Sequence, residues 1–120
     1  PALVEVVRAL DPPPAEVIAV DGGSTDRSRE IVTAAGWTLR ATPPGRGLQI
    51  NVGVAAAAAP LVCVLHADSI PPRDLVQVVR DTLADPRLAL ASFTPLIRGE
   101  KTRWGTTFHN WIKTWYAPLI

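Results

Sequence analysis

Three short apolar runs, residues 16–20 (EVIAV), 37–41 (WTLRA) and 61–65 (LVCVL), each end in a polar or Gly/Pro-rich loop. A helical pattern follows each run, and this alternation leaves few folds open. Short β-branched runs read as buried strands, and parallel strands need a crossover between them. The expected fold class is therefore α/β, a mostly parallel sheet with helices on both faces. In such sheets ligands bind beyond the carboxyl ends of the strands. The loops that close the three runs are where chemistry is expected.

The helices can be placed around these runs. Leu3, Val6, Val7 and Leu10 recur at helical spacing, and Pro12, Pro13 and Pro14 stop that helix. After the first run Ser24 reads as a helix N-cap, with Asp26 in the first turn and Gly36 as the stop. That helix carries Ile31, Val32 and Ala35 on one face. A second, alanine-rich helix is expected over residues 48–59, closed by Pro60, and a third over 73–83 with Leu75, Val76, Val79 and Leu83 at amphipathic spacing. Residues 88–93 are a further strand candidate.

The final stretch, residues 103–120, holds Trp104, Trp111 and Trp115 with Phe108 and Tyr116. It reads as an amphipathic helix that packs on a partner surface. Peripheral contact with a membrane, or with an acceptor, is the alternative, since Trp and Tyr suit interfaces. The expected organisation is an α/β part over residues 1–102 followed by this aromatic segment.

With 120 residues and 48% hydrophobic content the chain suits one domain with a real core. A net charge of +1 without a basic stripe argues against a nucleic-acid partner. The single cysteine, Cys63, cannot form an internal disulfide and reads as a small core residue in a reducing compartment. The longest apolar stretch, residues 52–65, is split by Pro60 and too short to span a bilayer, and no signal peptide is visible. A cytoplasmic protein, with membrane association through the aromatic tail as the variant, is the expectation.

Three loops carry chemistry. Asp21-Gly22-Gly23-Ser24-Thr25-Asp26 joins a strand to a helix; its glycines allow close backbone approach to a ligand, and Asp21 can accept hydrogen bonds from a base or ribose. A plain glycine turn with a helix cap accounts for Ser24 and Asp26 but leaves Asp21 over. Neither G-x-G-x-x-G nor a P-loop occurs, and an aspartate-nucleophile phosphatase is excluded by Gly23 at the position of its acid. Gly45-Arg46-Gly47 opens a helix, where the dipole and an arginine favour an anion. Gln49 and Asn51 fall on different faces of that helix, so one of them is structural. Last, His66-Ala67-Asp68-Ser69 puts two potential ligands beyond the third run, and a carboxylate there can hold Mg²⁺ or Mn²⁺ against a diphosphate. By itself this pair is equally a turn before Pro71 and Pro72.

In that order and spacing, strand–DGGSTD–helix, strand–P-G-R-G-x-x-x-N–helix and strand–HADS–Pro resemble the N-terminal half of the family 2 glycosyltransferases of the GT-A fold. Within them the L-H-A-D-S stretch looks most like the bacterial selenodomain-associated transferases. The resemblance covers residues 16–95. It implies a nucleotide-diphospho-sugar donor of UDP or GDP type, an acceptor of unknown identity, and an inverting, metal-assisted transfer. It places Asp21, Gly22, Gly23, Arg46, Gly47, Asn51 and Ala67 at the nucleotide. It places Mg²⁺ or Mn²⁺ on Asp68, with His66 standing where the family has its first acid.

Two departures accompany the likeness. The family's opening strand with its Pro-x-x-N-E motif has no counterpart here, and Glu100 is the one acid after Asp85, with no E-D pair for a catalytic base. The chain is accordingly expected to be a central fragment carrying the donor and metal half of the transfer, with an unpaired sheet edge that favours homo-oligomers. A non-catalytic nucleotide- or metal-binding module, and a nucleotidyltransferase-like domain, are the competing classes.

Overall fold

The structure, a computed structural model, describes residues 2–93. Cα packing divides the chain into Pro1–Asp85 and Pro86–Ile120. The first unit contains α1 (Ala2–Arg8), β1 (Ile18–Asp21), α2 (Ser28–Ala34), β2 (Thr38–Ala41), α3 (Arg46–Ala56) and α4 (Leu75–Thr82). In the second, residues 86–93 form no regular element, and the aromatic tail and the expected boundary at residue 102 lie outside the described residues.

β1 and β2 pair in parallel, Ile18 against Thr38 through Asp21 against Ala41. The α2 crossover between them is the helical connection a parallel pair requires. Hydrogen bonds from Thr38 N to Val17 O (3.1 Å) and from Thr42 N to Asp21 O (2.9 Å) extend the ladder at both ends. Because backbone groups alternate sides along a strand, the carbonyls of Ile18 and Val20 face the other edge. That edge pairs with no strand among the described residues.

α2 packs against β2, and α3 packs against β1. Gly53 makes the second contact close: a Cβ there would meet Val20 Cγ2 at 3.3 Å. Glu16 ties down the far end of α3, its Oε1 accepting the N–H groups of Ala58 (2.8 Å) and Ala59 (2.9 Å).

The core lies between α1 and α4. Val7, Leu10 and Leu75 are buried together, with Leu3, Val17, Trp37, Leu65, Val76 and Val79 packed around them. Asp11 N donates to Arg73 O at 2.8 Å and joins the end of α1 to the approach to α4. Among the described residues only Val4, Val7, Leu10 and Leu75 are buried hydrophobics, while Leu48, Ile50, Val54, Val62 and Val64 are exposed. The core is thus smaller than the hydrophobic content implies, because a two-stranded sheet covers little apolar surface.

Several expectations are corrected. Residues 61–65 and 88–93 are not strands; among the described residues neither finds a ladder partner, and apolar sequence alone cannot satisfy the backbone groups of a strand. Cys63 is exposed rather than core, although the apolar surroundings push its thiol pKa up by desolvation. Ser24 is not a helix cap. α2 starts four residues later with Arg27 at its N-cap and no side-chain cap, and Asp26 accepts Ser28 N–H at 3.0 Å in the turn that leads into it. The Ser28 hydroxyl, and then that backbone bond, hold the Asp26 carboxyl below its ordinary pKa.

Candidate functional site

β1 delivers Asp21 to its carboxyl end, where Gly22 and then Gly23 (φ +105°) turn the chain back over the aspartate. This conformation is open to Gly23 because it lacks a Cβ. The turn brings the Ser24 N–H to Asp21 Oδ1 at 3.1 Å and Oδ2 at 3.3 Å, and the Gly23 N–H to Oδ2 at 3.4 Å. The Ser24 hydroxyl also donates to Oδ1. From α2, Arg29 Nε reaches Oδ2 at 3.3 Å. The Asp21 side chain is 9% exposed. Hydrogen bonds from Ser24 and Gly23, with the Arg29 charge, hold its carboxyl below the ordinary aspartate pKa against the opposing effect of desolvation.

The start of α3 also approaches this loop, with Pro44 and Gln49 close to Gly22. Gly45 precedes the helix with φ +154°, and Arg46 is its first residue. Gln49, half-buried one turn on, donates from Nε2 to the Val20 carbonyl at 3.4 Å. A Cβ on Gly22 would fall 2.5 Å from that same nitrogen. A side chain at position 22 would push the end of Gln49 aside. Asn51 and Gly47 are exposed. Of the two polar residues on this helix, Gln49 is the one turned to the sheet; the sequence pattern separated their faces without showing which face is inward.

A cavity of about 1180 Å³ runs from the α1–α4 core to the carboxyl end of β1. Toward the carboxyl end of β1 its polar lining includes Asp21, Ser24, Arg29, Arg46, Gln49 and His66, and apolar residues line much of the rest. The volume exceeds the roughly 300–1,000 Å³ that small-molecule sites use, so a ligand at the carboxyl end of β1 would fill only part of it. Of the expected nucleotide and metal residues, Asp21, Arg46, His66 and Ala67 line it, whereas Gly22, Gly23, Gly47, Asn51 and Asp68 do not. Arg29 is a lining residue that no motif marks, and Gln49 lines the cavity where the motif pointed to Asn51. Nothing in the sequence marked Arg29, which sits among polar residues on a helix that was assigned only by its apolar face.

The segment after the third apolar run ends in a turn closed by Ser69 N–H to His66 O at 3.0 Å. His66 and Asp68 are both exposed there. Among the described residues no three His, Cys, Asp or Glu side chains converge. The donor set is thus no protein cage. An exposed carboxylate with a histidine two residues away does fit a hard cation that draws its remaining ligands from substrate phosphates and water.

Compared with known proteins, residues 1–119 match the model of the family described as "Glycosyl transferase family 2". No curated protein and no solved structure matches the chain. Among the described residues no helix is long and apolar enough to cross a membrane.

Proposed function

From the premise that the chain belongs to glycosyl transferase family 2, a family of the GT-A fold acting on nucleotide-sugar donors and acceptors, we propose that the cavity at the carboxyl end of β1 holds the donor. The donor is a nucleotide-diphospho-sugar of UDP or GDP type. The observation that carries this reading is the convergence of Asp21, Arg46, His66 and Ala67 on one cavity from three separate stretches of chain.

The roles follow from charge and position. Asp21, with Gly22 and Gly23, shapes the loop against which the nucleoside lies. Arg46, at the N-terminus of α3 beside Gly47, faces the negative end of the donor, where helix dipole and guanidinium act together. Ala67 beside the third loop completes the nucleotide side of the cavity, and Asn51 on α3, which does not line it, is assigned to the donor by the family likeness alone. Asp68, with His66, holds Mg²⁺ or Mn²⁺. When bound, that cation offsets charge building on the departing diphosphate.

In the transfer an acceptor hydroxyl oxygen bonds to the anomeric carbon as its bond to the diphosphate oxygen breaks. The hydroxyl proton goes to a base and the nucleoside diphosphate leaves, with inversion at carbon. None of the residues assigned above is that base.

Calorimetric titration with UDP and GDP, with and without Mn²⁺, tests the reading. Metal-dependent binding that Asp68→Ala abolishes is the expected result; binding unchanged in Asp68→Ala overturns the metal assignment. Turnover of a nucleotide sugar separates a transferase from a module that only binds.

A further inference from the structure

The loop over residues 22–27 runs from the end of β1 to the start of α2, and Ser24, Asp26 and Arg27 within it line the cavity. At the start of α2, Arg27 stands at the N-cap without a side-chain cap. The bonds of Asp26 to Ser28 N–H (3.0 Å) and of Arg27 Nε to Glu30 Oε2 (3.1 Å) join near neighbours in the chain. They shape the first turn without tying it to the strand. Arg29 reaches back to the strand: its Nε lies 3.3 Å from Oδ2 of Asp21, the last residue of β1. The same carboxylate accepts the Gly23 and Ser24 N–H groups and the Ser24 hydroxyl. One anion therefore joins both ends of the loop, which cuts the conformations open to the residues between. The Asp21 side chain is 9% exposed and Arg29 is half-exposed. A carboxylate so far out of water depends on keeping its cation.

Resting on the donor-site reading above, we infer that Arg29 is a positioning residue: through Asp21 it holds the loop over residues 22–27 in the shape that receives the nucleoside. It acts through that carboxylate and does not itself bind the diphosphate. The two arginines on the cavity wall divide the work by their charge partners. The Arg29 charge is offset by Asp21, so it has little left for a second anion. Arg46 has no ion pair among the described residues, and its charge is open to the ligand.

The test combines calorimetric titration with uridine and with UDP, in Mn²⁺, and amide hydrogen exchange at Gly23 and Ser24. Both are measured on the unsubstituted chain, Arg29→Met, Arg29→Lys, Asp21→Asn and the Arg29→Met/Asp21→Asn double variant. Arg29→Met is expected to weaken uridine and UDP by the same factor, about three- to five-fold, the worth of a partly exposed ion pair. The Gly23 and Ser24 amides are expected to exchange faster in that variant. Arg29→Lys, which keeps the charge, restores most of both. In the Asp21→Asn background Arg29→Met costs nothing further, because the group it acts through has gone. Loss of UDP affinity with uridine unchanged would mean that Arg29 binds the diphosphate, and overturns the inference. Additive losses in the double variant overturn it as well, as does unchanged exchange at Gly23 and Ser24 in Arg29→Met. If Asp21→Asn does not fold, the comparison of uridine with UDP and the exchange rates decide. If neither uridine nor UDP binds the unsubstituted chain, the donor-site reading falls, and the exchange rates alone decide whether Arg29 holds the loop.

Discussion

Asp21 gathers donors from three residues onto one carboxylate, and the pH response of the protein follows from that. Its folded pKa is lowered by Ser24, Gly23 and Arg29. The stabilisation is therefore fully present above the unfolded aspartate value of about 3.9 and is lost as pH falls through the lower folded value. Asp26, lowered by Ser28, adds in the same sense. Urea midpoints measured from pH 7 to pH 2 should drop below about pH 4, and Asp21→Asn should be less stable at pH 7 and converge with the parent in acid. A midpoint for Asp21→Asn equal to the parent's at pH 7 would show that the loop holds without its anion. At this scale the sequence went far. Asp21 and Arg46 were picked out by motif and position, and both line the cavity. Gln49 was not, because its importance comes from a contact with Val20, 29 residues away, which no local pattern records.

Elements formed where their local signals and their neighbours agreed. α1, α2, α3 and α4 and both paired strands lie within a few residues of where periodicity and Gly/Pro punctuation put them. The failures came where an element depends on something distant. The run at 61–65 is as apolar as the one at 16–20, yet β1 has β2 beside it and 61–65 has no ladder neighbour among the described residues. α2 began late because Asp21, outside the helix, captured Ser24. α4 has Leu75 as its buried anchor, 5% exposed against α1, with Val76 and Val79 packed beside it. Leu75→Ala should cost about 2–5 kcal/mol, read as a lowered urea midpoint. Gln77→Ala, which removes an exposed bond to Asp81 at 2.8 Å, should cost about 0.5 kcal/mol or less. Equal effects of the two would mean that α4 is not held by its apolar face.

For the molecule as a whole, the outer edge of β1 and the exposed apolar residues Val62 and Val64 give a second chain something to pair with. Sedimentation should show concentration-dependent self-association, and Val64→Lys should weaken it. A monomer at all concentrations would mean that this edge is covered from within the chain. The small core has one further consequence. The first helix is synthesised before everything it rests on: Val7 and Leu10 are buried with Leu75, and Asp11 N–H bonds to the carbonyl of Arg73. While the chain leaves the ribosome, Val17, Trp37 and Leu65 can reach the greasy side of α1 in turn, but its cover is complete only when the last of the described helices has emerged.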